Sequence, residues 1–274
     1  MSATLEFTTA VDVSFQQRQE FLSFAKQTIR AAGAEVLPYF RSGVEVTNKR
    51  DNGGFDPVTA ADQGAERIIR SAIESSYPEH GIFGEEYGFR PGNGLTWVID
   101  PIDGTRAFMT GMLHWGMLVA LFDGQQPVLG VMYQPYTDEL FSGDGDNAWF
   151  ERAGQEMPLR TSNCEQVAQA SLSTTGIDWL SAAEREQFQG LSRRTKLTKM
   201  GGDCYLFGAL AMGTLDIGVE AKLQAYDIQA LIPIVRGAGG VITAWDGGNP
   251  SLGGTVLASA TQALHDEAMS LLAP

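Results

Sequence analysis

Trp97-Val98-Ile99-Asp100-Pro101-Ile102-Asp103-Gly104-Thr105 runs from apolar, strand-like residues straight into two carboxylates, a Gly and a hydroxyl. Val98 and Ile99 suit a buried strand, which puts Asp100 at that strand's carboxyl end, where open α/β sheets collect ligands. Pro101 has no N–H to give to a ladder and is expected to stop it. Asp103 then follows about one turn later, its carboxylate aimed at the same point. Gly104 and Thr105 open a helix whose free amides form an anion site, approached closely because Gly carries no side chain. Cations between the carboxylates and a phosphate on the amides fit side by side, and oxygen ligands of this kind suit Mg²⁺. Taken alone, the stretch also admits the lesser reading of an Asp-rich capping turn, since Asp, Pro and Gly are common turn residues.

Other acids occupy similar places. Glu85, in Gly84-Glu85-Glu86-Tyr87-Gly88, hangs from the end of the short apolar run Ile82-Phe83. Tyr226-Asp227-Ile228 begins an apolar helix expected to run to Ala238, with Asp227 at or near its N-cap. Capping and metal ligation by one carboxylate are compatible. Glu85, Asp100, Asp103 and Asp227 thus supply four acids at strand or helix ends, the number a two-metal site with a shared carboxylate uses.

The chain has 274 residues, 43% of them hydrophobic, enough for a packed core in one large domain or two modest ones. A formal charge of -14 repels nucleic acid and anionic membranes, so neither is an expected partner. Cys164 and Cys204 are too few for a disulfide framework and suit a reducing compartment, although one disulfide between them stays open. The first residues lack the pattern of a signal peptide, and no apolar stretch nears the ~20 residues of a membrane helix. A cytoplasmic location is expected.

Apolar residues at helical spacing predict a helix over residues 15–40 and another from Thr59 to Tyr77, with Asp62 in its first turn. Lys49 to Pro57 reads as a Gly-rich loop. Strand signals crowd residues 81–150, including a hairpin through Asp144-Gly145-Asp146. That acidic triplet superficially resembles a calcium loop but lacks the later ligand positions. Strands and helices alternate beyond about residue 155. The expected division is an α+β half, residues 1–155, carrying most of the metal ligands, and an α/β half, residues 156–274, carrying Asp227 and the pocket for the substrate alcohol.

Asp56-Pro57-Val58-Thr59-Ala60-Ala61-Asp62, Gly84-Glu85-Glu86, Trp97 to Thr105, and Tyr226-Asp227 followed by Gly237-Ala238-Gly239-Gly240-Val241 together resemble the inositol monophosphatase superfamily of metal-dependent phosphatases. The resemblance runs in order from about Phe21 to Leu272. It implies a layered αβαβα sandwich, often a homodimer, acting on a small phosphate monoester with two or three Mg²⁺ ions, Mn²⁺ being the alternative. By the same resemblance, one ion is held by Glu85, Asp100 and the carbonyl of Ile102, and a second by Asp100, Asp103 and Asp227. A weaker third touches Glu85. Thr105 and Asp62 orient and deprotonate the attacking water, and Asp103, Gly104, Thr105 and Asp227 border the substrate. His114 is expected to be a structural loop residue.

Within that superfamily, Gly201-Gly202-Asp203-Cys204-Tyr205, Glu220 and the run Ala225 to Gly247 look closest to the histidinol-phosphate phosphatases. Asp203 and Glu220 would give the alcohol pocket two acids, which a substrate with an ammonium and an imidazole rewards and a polyol does not. Asp203 also reads as the cap of a helix beginning near Tyr205. An inositol-1-phosphate or broad sugar-phosphate phosphatase is the main alternative activity, and a non-catalytic protein that kept the fold the weaker one. The basic run Arg193-Arg194-Thr195-Lys196 reads as a solvated edge, or as charge brought toward the pocket or a dimer mate.

Overall fold

A computed structural model describes residues 5–42, 46–48 and 57–273. Except for Pro57, the loop expected over Lys49 to Pro57 lies outside the described residues. Helix α1, Phe15–Val36, is started by a capping box between Ser14 and Gln17 and buries Phe21, Ala25, Ile29 and Ala32. It stops short of the expected residue 40 because Pro38 enters the next turn, Leu37–Tyr39, without an N–H to continue the ladder. Strands β1 (Val46–Asn48) and β2 (Pro57–Thr59) form a small antiparallel ribbon, and α2 spans Ala60–Ser76.

The larger sheet contains β3 (Gly81–Gly84), β4 (Gly88–Arg90), β5 (Thr96–Asp103), β6 (Gly116–Phe122), β7 (Pro127–Gln134), β8 (Glu139–Gly143), β9 (Ala148–Arg152) and β10 (Gln155–Pro158). Its order is β10-β9-β8-β7-β6-β5-β3-β4, antiparallel except for the β3–β5 pair. The five-stranded sheet is ordered β12-β11-β13-β15-β14, from β11 (Ser171–Thr174), β12 (Leu197–Met200), β13 (Ile217–Leu223), β14 (Val241–Thr243) and β15 (Gly254–Ser259). Beside them lie α3 (Thr105–Met109), α4 (Ala182–Ser192), α5 (Tyr205–Ala211), α6 (Ala225–Ile228), α7 (Leu231–Gly237) and α8 (Gln262–Leu272).

The seven residues of β6 are all buried, as an apolar run covered on both faces requires. Met117, Val119 and Leu121 join the core beneath α1 and α2, whereas Leu118, Ala120 and Phe122 pack with Leu206, Phe207 and Leu231 from α5 and α7. The second sheet rests on α5 and α7 through Val256 and Ala258 and turns Leu172, Ile217 and Leu257 toward Phe188 of α4 and Leu264 of α8. The order is therefore helix, sheet, helix, sheet, helix: the expected αβαβα sandwich.

Three local expectations change. Pro101 does not end its ladder: Asp100 pairs with Leu118 and Asp103 with Gly116, so β5 continues past one extra residue. The helix expected from Asp227 to Ala238 is broken into α6 and α7. Strands β4, β10 and β12, too short or too polar to signal alternation, were not anticipated. The Asp144 triplet is a hairpin turn, its carboxylate accepting the N–H groups of Asp146 and Asn147 at 3.1 and 2.8 Å. Cys164 and Cys204 are free thiols. Among the described residues no helix is long and apolar enough to cross a membrane.

Candidate active site

In a regular strand, residues three apart face opposite sides; the extra residue in β5 returns Asp103 to the face of Asp100. That face points to the middle helical layer, where α6 carries Asp227. Among the described residues, Asp100, Asp103 and Asp227 each place one carboxylate oxygen within 4.8 Å of the others. Asp227 is not the N-cap but the third residue of α6, and its carboxylate reaches back to accept the N–H of Gln224 at 2.7 Å. Asp100 accepts the N–H of Ile102 at 3.1 Å, and Asp103 accepts that of Cys204 at 2.5 Å, tying β5 to the start of α5.

Burial and mutual repulsion dominate this cluster. Burial, then the charges of Glu85, Asp103, Asp227 and Asp62, hold the Asp100 carboxyl well above the usual range. Burial and the nearby Asp203 and Asp227 push Asp103 up to about 8, and burial pushes Asp227 up to about 6. Carboxylates this close and this desolvated hold protons when no cation is present, and a cation relieves both penalties at once. The donor set is all oxygen, which fits a hard divalent ion.

The other sequence-predicted residues gather around it. Glu85 follows β3, its N–H bonded to the carbonyl of Ile99 at 3.2 Å, and Asp62 is buried in the first turn of α2. Gly104 adopts φ 82°, a left-handed conformation that suits Gly, and Thr105 opens α3 with its hydroxyl donating to the carbonyl of Ile102 at 3.1 Å. A cavity of about 410 Å³ opens beside the carboxylates, lined by Asp103, Gly104, Thr105, Asp203, Glu220 and Asp227 among others.

Its far wall is a hydrogen-bonded chain. Glu220, buried on β13, accepts the N–H and hydroxyl of Thr175 at 2.5 and 2.8 Å, and burial pushes it up to about 8 against the lowering effect of those bonds. Thr175 in turn accepts the N–H of Asp203 at 3.1 Å. Asp203 is not the helix cap: Cys204 holds that position, and the Asp203 carboxylate lies 2.7 Å from Nδ1 of His114. His114 lies in the loop before β6 and touches the pocket wall through Asp203. Arg193, Arg194 and Lys196 are exposed, as a solvated edge would be.

Sequence reasoning missed Thr175, Trp179, Arg106 and Lys222, which also line the cavity, and the Arg106 guanidinium sits 5.7 Å from the Trp179 ring centre. Arg106 was adjacent to a recognised motif; nothing local marked Thr175 or Trp179. Glu66 was missed too, although it lies one helical turn from Asp62 on α2.

Residues 17–273 match the family described as "Inositol monophosphatase family". The chain belongs to the inositol monophosphatase family. A histidinol-phosphatase of Chlorobaculum parvum is 33% identical over 89% of the chain and 93% of its own length. The chloroplastic bifunctional phosphatase IMPL2 of Arabidopsis thaliana is 34% identical over 86% of the chain and 67% of its own length. A solved inositol monophosphatase from Zymomonas mobilis superposes with a TM-score of 0.83 at 36% identity, covering 93% of the chain and 98% of that structure. Like these inositol monophosphatase relatives, the chain is a phosphomonoesterase, and family membership leaves the alcohol half of the substrate to the pocket.

Proposed function

We propose that the chain hydrolyses histidinol phosphate, with Mg²⁺ held by Glu85, Asp100, the Ile102 carbonyl, Asp103 and Asp227. When bound, the cations stabilise the charge of the phosphate and make water easier to ionise. Asp62 is the buried carboxylate beside the cluster that takes the water's proton. Thr105 spends its only hydroxyl hydrogen on Ile102 and keeps its lone pairs to accept from, and so aim, that water. Gly104 leaves room for the phosphate at the start of α3.

The observation that carries the choice of alcohol is the pair of acids on the cavity wall. Glu220 and Asp203 are linked through Thr175 and face the same space. A buried Glu poised near 8 ionises when a cation enters, and each charge-assisted hydrogen bond to an ammonium or imidazolium is worth about 1.5–3 kcal/mol. A neutral polyol offers no such return for a second acid. The relatives named histidinol-phosphatase support the same reading.

The test is kcat/KM for histidinol phosphate and for inositol 1-phosphate side by side at saturating Mg²⁺. We expect histidinol phosphate to be preferred at least about tenfold, with Asp203→Asn raising its KM by roughly tenfold and leaving inositol 1-phosphate within about twofold. Equal or inverted preference in the unmodified enzyme contradicts the reading and leaves a polyol or sugar-phosphate phosphatase.

A further inference from the structure

The loop that carries Glu85 is gripped from beneath by a buried ion pair. Glu66 of α2 has a fully buried side chain, and its carboxylate accepts the N–H of Glu86 at 2.7 Å and that of Tyr87 at 3.2 Å. Nε of Arg70, one helical turn on, donates to the same carboxylate at 2.6 Å. The other arm of Arg70 donates to the carbonyl of Gly88, where β4 begins. Gly84 completes the fit, because a β-carbon there would collide with the Glu66 carboxylate. Residues 86 to 88 are thus bonded to α2, the helix that also bears Asp62, and Gly84 packs closely against it.

A charge buried this completely is costly, and an apolar pair of similar volume is often at least as stable. What the ion pair supplies that an apolar pair lacks is a set of directional bonds to the three backbone groups that follow Glu85, those of Glu86, Tyr87 and Gly88. We propose that Glu66 and Arg70 are positioning residues for Glu85, holding its carboxylate against the Asp100 cluster so that the site binds cations tightly. The inference rests on the reading of Glu85 as a cation ligand. Outer partners of metal ligands commonly govern metal affinity by 10–100-fold.

The test is Mg²⁺ titration calorimetry on the full chain, paired with phosphate release across a range of Mg²⁺ concentrations. Glu66→Gln keeps the shape but sets an NH₂ against donors; it should weaken Mg²⁺ binding by roughly 10–100-fold. Its kcat should be largely restored by excess Mg²⁺, and its KM at saturating Mg²⁺ should stay within about twofold of the unmodified enzyme's. Arg70→Lys, which retains the ion pair but loses the bond to Gly88, should show the same effect at smaller size, about threefold. It decides the matter if Glu66→Gln does not fold. Unchanged Mg²⁺ affinity in the folded variants, or lost activity that no Mg²⁺ concentration restores, overturns the proposal. Glu85→Gln separates the two layers: if it leaves Mg²⁺ binding intact, the ligand reading fails and the inference with it. If it weakens binding while Glu66→Gln does not, only the positioning role fails.

Discussion

Asp100→Asn should lower kcat for phosphate release by about a thousandfold or more, equivalent to roughly 4 kcal/mol of transition-state stabilisation. Asp100 is the carboxylate on which the charges of Glu85, Asp103, Asp227 and Asp62 all act, so it stands at the centre of the cluster. Asn keeps an oxygen to accept the N–H of Ile102, removes the charge and puts an NH₂ where the second carboxylate oxygen stood. The same substitution should have the opposite effect on the metal-free fold. Asn imitates the protonated acid, so in EDTA at pH 8.5 the variant should unfold at a higher temperature than the unmodified chain. Steady-state kinetics and thermal melts on one preparation check both signs. A variant that keeps activity within tenfold, or melts lower in EDTA, contradicts this account of the cluster.

The second large effect is a fall in metal-free stability as pH rises. Asp103 and Glu220 are pushed up to about 8 and Asp227 to about 6, all above their ordinary values. An acid whose folded pKa is raised binds more protons folded than unfolded, so its contribution is complete below the unfolded pKa and fades as pH climbs through the folded one. For these groups the window runs from about pH 4 to about pH 8. His80 and His265, lowered by burial, act in the opposite sense but only below about pH 6.5. Between pH 6.5 and 8.5 in EDTA the melting temperature should therefore drop by on the order of 10 °C. Mg²⁺ should flatten the profile and stabilise most at the alkaline end, where the ligands are already ionised. A flat or rising profile in EDTA would mean that the carboxylates are not mutually destabilising.

Much of this was legible in the sequence for specific physical reasons. Gly116 to Phe122 reads as a strand because its apolar run is short, and the apolar spacing of residues 15–40 reads as an amphipathic helix packed on a sheet, as β6 and α1 are. The acids stood out because each lay at the end of a strand or the start of a helix, and Asp100, Asp103 and Asp227 do converge. What local pattern did not disclose was how Asp100 and Asp103 come to share a face, since a bulge is a property of two strands and Leu118 and Gly116 lie on the other one. Nor did it disclose the pocket wall: Thr175, Asp203 and Glu220 are tens of residues apart and meet only through long-range packing. Pro38 and the break between α6 and α7 set boundaries that apolar spacing alone overran.

On this reading the carboxylate cluster works only with a divalent cation. That dependence is tested most directly by measuring phosphate release from histidinol phosphate with enzyme stripped in EDTA, then titrated with Mg²⁺. Release should be near background in EDTA and should return saturably as Mg²⁺ is added. Undiminished release in excess EDTA would contradict that dependence.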